Sequence, residues 1–148
     1  FANNPEDIDW VDKALERNPN MMADLAARIP EVGRHDPRKV HKLFVKHQDR
    51  ILFATDFMVY DKLILGSSGD AERPTDRDAV TFYEKNWRWL ETWDRNWEHM
   101  TPIQGDWTIS SIGLPVPVLR KIYFDNARKM LARSMPAPTV KAARWRCV

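Results

Sequence analysis

The chain reads as α/β, a parallel sheet with helices packed outside it, and three features of the sequence predict this. Helix-patterned and strand-patterned segments alternate through the first half, in the order helix, strand, helix, strand. The stretch Arg50–Phe57 contains an almost wholly apolar run, the pattern of a strand buried on both faces. One acid, Asp56, stands near the C-terminal end of that run. Chemistry in parallel α/β folds gathers at the C-terminal ends of strands, so Asp56 is the first candidate functional residue. Its structural reading is a cap for the following loop or a partner for a nearby arginine.

Taken in order, Asn4-Pro5-Glu6-Asp7 has the form of a helix start: a capping Asn, Pro at the first position, then acids at the positive end of the dipole. Ile8, Val11, Ala14 and Leu15 follow at helical spacing, and Asn18-Pro19-Asn20 ends the element. Met21–Ala27 is short, apolar and bounded by turns, and is expected as a strand although it lacks β-branched residues. Asp36-Pro37 repeats the cap-and-proline signal, and Val40, Leu43, Phe44 and His47 make a stripe that predicts a second helix to about Gln48. The strand ending at Asp56 follows at once.

The segment Tyr60–Arg77, with Gly66-Ser67-Ser68-Gly69-Asp70 inside it, reads as a long loop of the kind that carries substrate contacts. It lacks the spacing and lysine of a phosphate-binding loop. Asp76 or Asp78 opens a third helix carrying Phe82, Tyr83, Trp87, Trp89, Leu90, Trp93 and Trp97. Such a wide apolar face packs against a sheet or other helices, or else forms a platform for sugar or lipid. Thr101–Pro117 is irregular, and a last helix from about Val118 to Arg133 buries Leu119, Ile122, Tyr123, Ala127, Met130 and Leu131. Residues 1–133 form the domain, and residues 134–148 are expected to be a disordered basic tail.

The 148 residues, 43% of them hydrophobic, suit one domain with a real core. The single Cys147 excludes an intramolecular disulfide and a cysteine metal cluster, and favours a reducing, cytoplasmic setting. No apolar run reaches bilayer length and no signal segment opens the chain, so a soluble protein without a membrane partner is expected. The net charge of +2 is too small to imply a polyanionic partner. From Arg120 onward eight Lys/Arg face one acid, Asp125, but no aromatic-basic binding motif accompanies them, and no nucleic-acid partner is expected. The first residue is Phe1 rather than Met, which suits processing, an expression product or a piece of a longer protein.

Four histidines, His35, His41, His47 and His99, supply neither His-x-His nor His-Glu-x-x-His. His41 and His47 lie six positions apart, about 240° around a helix, and face different ways. No Gly-x-Ser-x-Gly turn is present. What remains is Asp56, together with Arg28 and Arg34 after the earlier strand. These arginines are candidates to hold a carboxylate substrate, with solvated or structural roles as the alternative.

Ile51-Leu52-Phe53-Ala54-Thr55-Asp56 resembles the last barrel strand of the amidohydrolase-related (amidohydrolase 2) family of the metal-dependent amidohydrolase superfamily. Asn126-Ala127 within Lys121–Leu131 is similar to that family's closing helix, and Asn18–Leu25 to its penultimate strand; Arg28–Arg34 with Gln48-Asp49-Arg50 fits a subgroup. The resemblance covers about residues 4–133. A whole barrel takes about 250 residues, and the family's first-strand His-x-His and middle-strand histidines have no counterpart here. The resemblance therefore implies the C-terminal portion of a (β/α)8 TIM-type barrel, about the last two strands with their helices.

It also implies a divalent metal, commonly zinc, in the complete protein, and hydrolysis of a small carboxylated substrate by a metal-activated water. Asp56 corresponds to the acid that ligates or adjoins the metal and handles a proton; the other ligands are absent from this chain. Asn126 is expected to fix the end of the barrel rather than touch substrate. Non-oxidative decarboxylation on the same barrel is one alternative, and a non-catalytic interaction module using the Trp-rich helix is another. Alone, the chain is expected to hold no metal, to be inactive, and to self-associate through an exposed sheet edge.

Overall fold

The first helix does not start where Asn4 and Pro5 signal it. In a computed structural model that describes residues 1–66, 73–101 and 105–134, helix α1 runs Ile8–Arg17 and is capped by Asp7, whose carboxylate accepts the Trp10 N–H at 3.0 Å. A tertiary contact overrides the earlier signal: Pro5 is buried, and its carbonyl accepts a hydrogen bond from His35 Nε2 at 2.9 Å. Ile8, Val11 and Leu15 form the buried stripe the spacing predicts.

Strand β1 is Ala23–Asp24, the short helix α2 is Ile29–Val32, helix α3 is Pro37–Lys46 and strand β2 is Ile51–Leu52. The start of α3 agrees with the sequence: Asp36 accepts from the N–H groups of Arg38 (2.8 Å) and Lys39 (3.1 Å), and Pro37 takes the first turn, where no N–H is needed. Val40, Leu43, Phe44 and His47 are all buried. β1 and β2 pair in parallel, Ala23 opposite Ile51 and Asp24 opposite Leu52. Ala23 N–H donates to Arg50 O (2.9 Å), and Leu25 N–H to Leu52 O (3.1 Å). A parallel pair needs a crossover, and α2 and α3 supply it.

Both strands are shorter than Met21–Ala27 and Arg50–Phe57, and the second is not buried on both faces. Ile51 is fully buried, whereas Leu52, Phe53 and Ala54 are half-exposed. Among the described residues β2 has one neighbouring strand, so it lacks the second strand that an all-apolar central strand suits.

Strands β3 (Met58–Val59) and β4 (Leu63–Ile64) form an antiparallel hairpin whose second strand lies in the stretch expected as a plain loop from Tyr60; residues 67–72 of that loop lie outside the described residues. Helix α4, Asp76–Glu91, is opened by Thr75 rather than by either aspartate. The Thr75 hydroxyl and the Asp78 carboxylate satisfy each other's backbone N–H in a capping box. α4 ends at Glu91, so Trp93 and Trp97 leave the helix, and Trp97 opens β5 (Trp97–Glu98), paired antiparallel with β6 (Thr108–Ile109). The segment after β6 then stops α4: Ile112 N–H donates to Trp89 O (2.9 Å) and Leu114 N–H to Leu90 O (2.7 Å).

The tryptophans divide accordingly. Trp89 and Trp97 belong to the core, Trp89 meeting Phe44 edge-on at 5.6 Å. Trp87 and Trp93 remain 44% and 47% exposed, Trp93 flanked by His41 (5.0 Å) and the Arg95 guanidinium (5.1 Å). Gly113, at φ 51°, is required there, because a Cβ on it would stand 2.3 Å from Trp93 Nε1.

The closing segment is helical from Val116 to Ser134, as α5 (Val116–Arg120), a π-helical turn (Lys121–Asp125) and α6 (Asn126–Ser134). Ile122 is buried as expected, but Met130 (39%) and Leu131 (50%) are exposed, and Val118 and Asn126 are buried in addition. Tyr123 donates its hydroxyl to Glu91 at 2.9 Å; burial, then the Glu91 carboxylate, pushes the phenol well above its ordinary range. Residues 135–148, most of the expected tail, lie outside the described residues. The described residues thus form a mixed α/β fold of helices and three short strand pairs, with a hydrophobic core to which β1, β2, β5 and β6 contribute. Among the described residues no helix is long and apolar enough to cross a membrane.

Two predictions follow from this packing. Asn126 is 1% exposed and its Nδ2 donates to both Gln48 O and Ile51 O at 2.8 Å. Asn126→Asp keeps the shape but replaces the donor with oxygen facing two carbonyls, and should cost about 2–4 kcal/mol in urea unfolding. Between α1 and α3, burial acts to raise the Asp12 carboxyl, but hydrogen bonds from Lys46 and His47 outweigh it and hold the group below its ordinary 3.8. A depressed acid contributes stability that is present above the unfolded-state value and lost as pH falls through the folded one. The urea midpoint should therefore fall below about pH 4, and Asp12→Asn should flatten that acid limb.

Candidate functional site

Because β1 and β2 run parallel, the residues that follow them emerge at the same end of the pair. Each strand leaves through a bend at a residue with a side chain in the left-handed region: Ala27 at φ 49° after β1, and Asp56 at φ 60° after β2. L-residues other than Asn and Asp avoid this region because Cβ crowds the backbone, so Ala27 is the more strained of the two, and Ala2, Asn3 and Asn96 share the conformation elsewhere.

Asp56 is exposed, and its carboxylate makes no hydrogen bond or ion pair with the described residues. Neither the loop cap nor the arginine partner of its structural reading is seen there. Its neighbours are held instead. Thr55 is buried, its Oγ1 lies 3.4 Å from the Tyr83 hydroxyl and accepts the Phe57 N–H at 3.4 Å. The Phe57 ring packs 5.8 Å from that of Tyr83.

Arg28 follows Ala27 at the same end of the pair, half-exposed, with Nη1 3.4 Å from Glu31 Oε1. Glu31 is buried, and its Oε2 has no hydrogen-bond partner among the described residues. Arg34 lies with its guanidinium 4.5 Å over Trp107, whose Nε1–H donates to Pro30 O at 2.9 Å. Both arginines thus have partners within the chain, and among the described residues no contact joins either to Asp56.

The histidines are engaged with the framework. His35 reaches Pro5 O, His41 Nδ1 donates to Ile112 O (2.7 Å), and His99 Nε2 donates to Gly105 O (2.9 Å) while Nδ1 accepts the Thr101 N–H (3.3 Å). His47, buried, accepts from Arg50 on Nδ1 (2.8 Å), so Nε2 carries the proton it donates to Asp12 (2.6 Å). Among the described residues no three His, Cys, Asp or Glu stand together so as to hold a metal ion. A protein zinc site takes three or four ligands, so the single carboxylate of Asp56 does not make one with the residues described.

Thr55 and Tyr83 are the members of this site that the sequence did not single out. Tyr83 counts as one more aromatic in the stripe of α4, and only the tertiary structure brings its hydroxyl to a residue 28 positions earlier. No family model, curated protein or solved structure matches the chain.

Backbone conformation at Asp56 gives a direct test. Asp56→Gly relieves the left-handed strain while deleting the carboxylate, and should leave the chain unchanged or more stable by about 0.5–1 kcal/mol in urea unfolding. Asp56→Ala, which keeps the Cβ, should show no such gain.

Proposed function

We propose that the chain is the C-terminal portion of a metal-dependent hydrolase of the amidohydrolase-related kind on a (β/α)8 barrel, acting on a small carboxylated substrate, with Asp56 as its strand-end acid. The observation that carries this reading is the placement of Asp56 at the C-terminal exit of a parallel strand, its carboxylate exposed and its backbone bent into the left-handed region. The crossover through α3 and the tie from Asn126 to the start of β2 add support. In this reading Asp56 accepts or returns a proton at the reacting centre, and Arg28, at the same end of the pair, faces the substrate carboxylate. The metal, zinc by the resemblance, would supply an acidified water in the complete protein, with its remaining ligands outside the described residues.

The test compares the 148-residue chain with the product of the reading frame extended upstream of Phe1. The extended protein should carry His-x-His after an early strand, retain metal through dialysis and hydrolyse members of a panel of small carboxylated amides and esters. Asp56→Asn should lower its kcat at least about a hundredfold. The chain alone, dialysed against trace zinc, should retain close to none. Carbon dioxide release in place of a hydrolysis product would move the activity to decarboxylation. A start codon directly before Phe1, or a full metal equivalent on the chain that is lost with Asp56→Asn, would overturn the reading.

A further inference from the structure

We propose that Tyr83 is the positioning residue for Asp56, an inference that rests on the reading of Asp56 as the strand-end acid. Asp56 is held at φ 60°, a region that an aspartate visits at modest cost, and both of its chain neighbours touch this one tyrosine. On the N-terminal side the Thr55 Oγ1 lies 3.4 Å from the Tyr83 hydroxyl. The same Oγ1 accepts the Phe57 N–H at 3.4 Å and so spans Asp56. On the C-terminal side the Phe57 ring meets the Tyr83 ring at 5.8 Å.

Tyr83 is fixed in turn. Phe82 meets it edge-on at 5.6 Å, Trp87 lies 5.9 Å away one turn along α4, and α4 is anchored in the core by Trp89 and Leu90. The two 3.4 Å hydrogen bonds are long, and either alone constrains little. With the ring contact they link Thr55, Phe57 and Tyr83 in one closed set of contacts around the turn. Asp56 lies between the two residues that these contacts join. Tyr83 touches no reacting atom in this arrangement. It sets the direction in which the Asp56 carboxylate leaves the chain.

Two measurements test the assignment. In the 148-residue chain, NMR reads the three-bond HN–Hα coupling and the carboxyl carbon shift of Asp56 in Tyr83→Phe, which removes only the hydroxyl, and in Thr55→Val, which removes its partner. Both variants should shift the Asp56 signals away from their left-handed values, Thr55→Val more than Tyr83→Phe because it removes both bonds, leaving the amide shifts of Leu15 and Ile109 in place. Unchanged Asp56 signals in both variants would overturn the proposal.

In the enzyme from the extended frame, Tyr83→Phe should lower kcat at least about tenfold with KM within about twofold, the pattern of lost alignment rather than lost binding. A kcat unchanged in Tyr83→Phe while Asp56→Asn is inactive overturns the positioning role alone. Full activity in Asp56→Asn removes the strand-end acid itself, and the proposal with it.

Discussion

The carbonyls of Gln48 and Ile51 and the N–H of Phe53 must find partners that β1 does not offer, and the rest of the structure depends on how they do so. A buried backbone group without a partner costs as much as a lost hydrogen bond, and β2 has a neighbouring strand on one side only among the described residues. The closing helix takes the place of a strand on the other side. Asn126 donates to the two carbonyls, and Ile122 O accepts the Phe53 N–H at 3.0 Å. Ile122 lies in the π-helical turn, where the ladder widens and the Asn126 N–H reaches back to Lys121 O. Such turns loosen the regular i→i−4 ladder, which suits a carbonyl that has to serve a neighbouring strand. The exit of β2, and with it Asp56, inherits its position from this junction.

A second junction fixes the opposite side of the same strand. Arg50, the residue before β2, donates to His47 Nδ1, to Leu15 O and to Asn18 O, so one guanidinium joins the C-terminal ends of α1 and α3. His47 completes the link by donating to Asp12. A buried imidazole between an acid and an arginine has, by residue type alone, the make-up of a catalytic relay. Here Nδ1 accepts from Arg50 and Nε2 faces Asp12, so both ring nitrogens are tied to the framework and the arrangement braces the ends of α1 and α3.

Much of this was legible in the residues. Asp36-Pro37 starts a helix as written, because a cap and its first turn are local chemistry, and the stripe Val40, Leu43, Phe44, His47 is buried as its spacing requires. The alternation of elements pointed to the parallel pair that β1 and β2 form. The two hairpins were not legible. Met58–Ile64 and Trp97–Ile109 present strands only two residues long, too short for alternation to register, and the second hairpin is completed by residues ten or more positions apart. The end of α4 is hidden from the sequence for a related reason. Trp93 and Trp97 continue a helical spacing on paper, but the segment Ile112–Leu114 supplies donors to the last carbonyls of α4, and the helix stops at Glu91.

At the candidate site the division is similar. The sequence alone determined that an acid would stand at the exit of an apolar strand, since the order of residues along one strand is covalent and needs no partner. It also determined that Arg28 would follow the other strand. Only the tertiary structure decided that the two exits lie at one end of a parallel pair, that the chain turns left-handed at Asp56, and that Thr55 and Phe57 both lean on Tyr83. Those outcomes depend on contacts between residues far apart in the chain, which local propensity does not encode, and on packing that holds Asp56 in a backbone conformation it visits at modest cost.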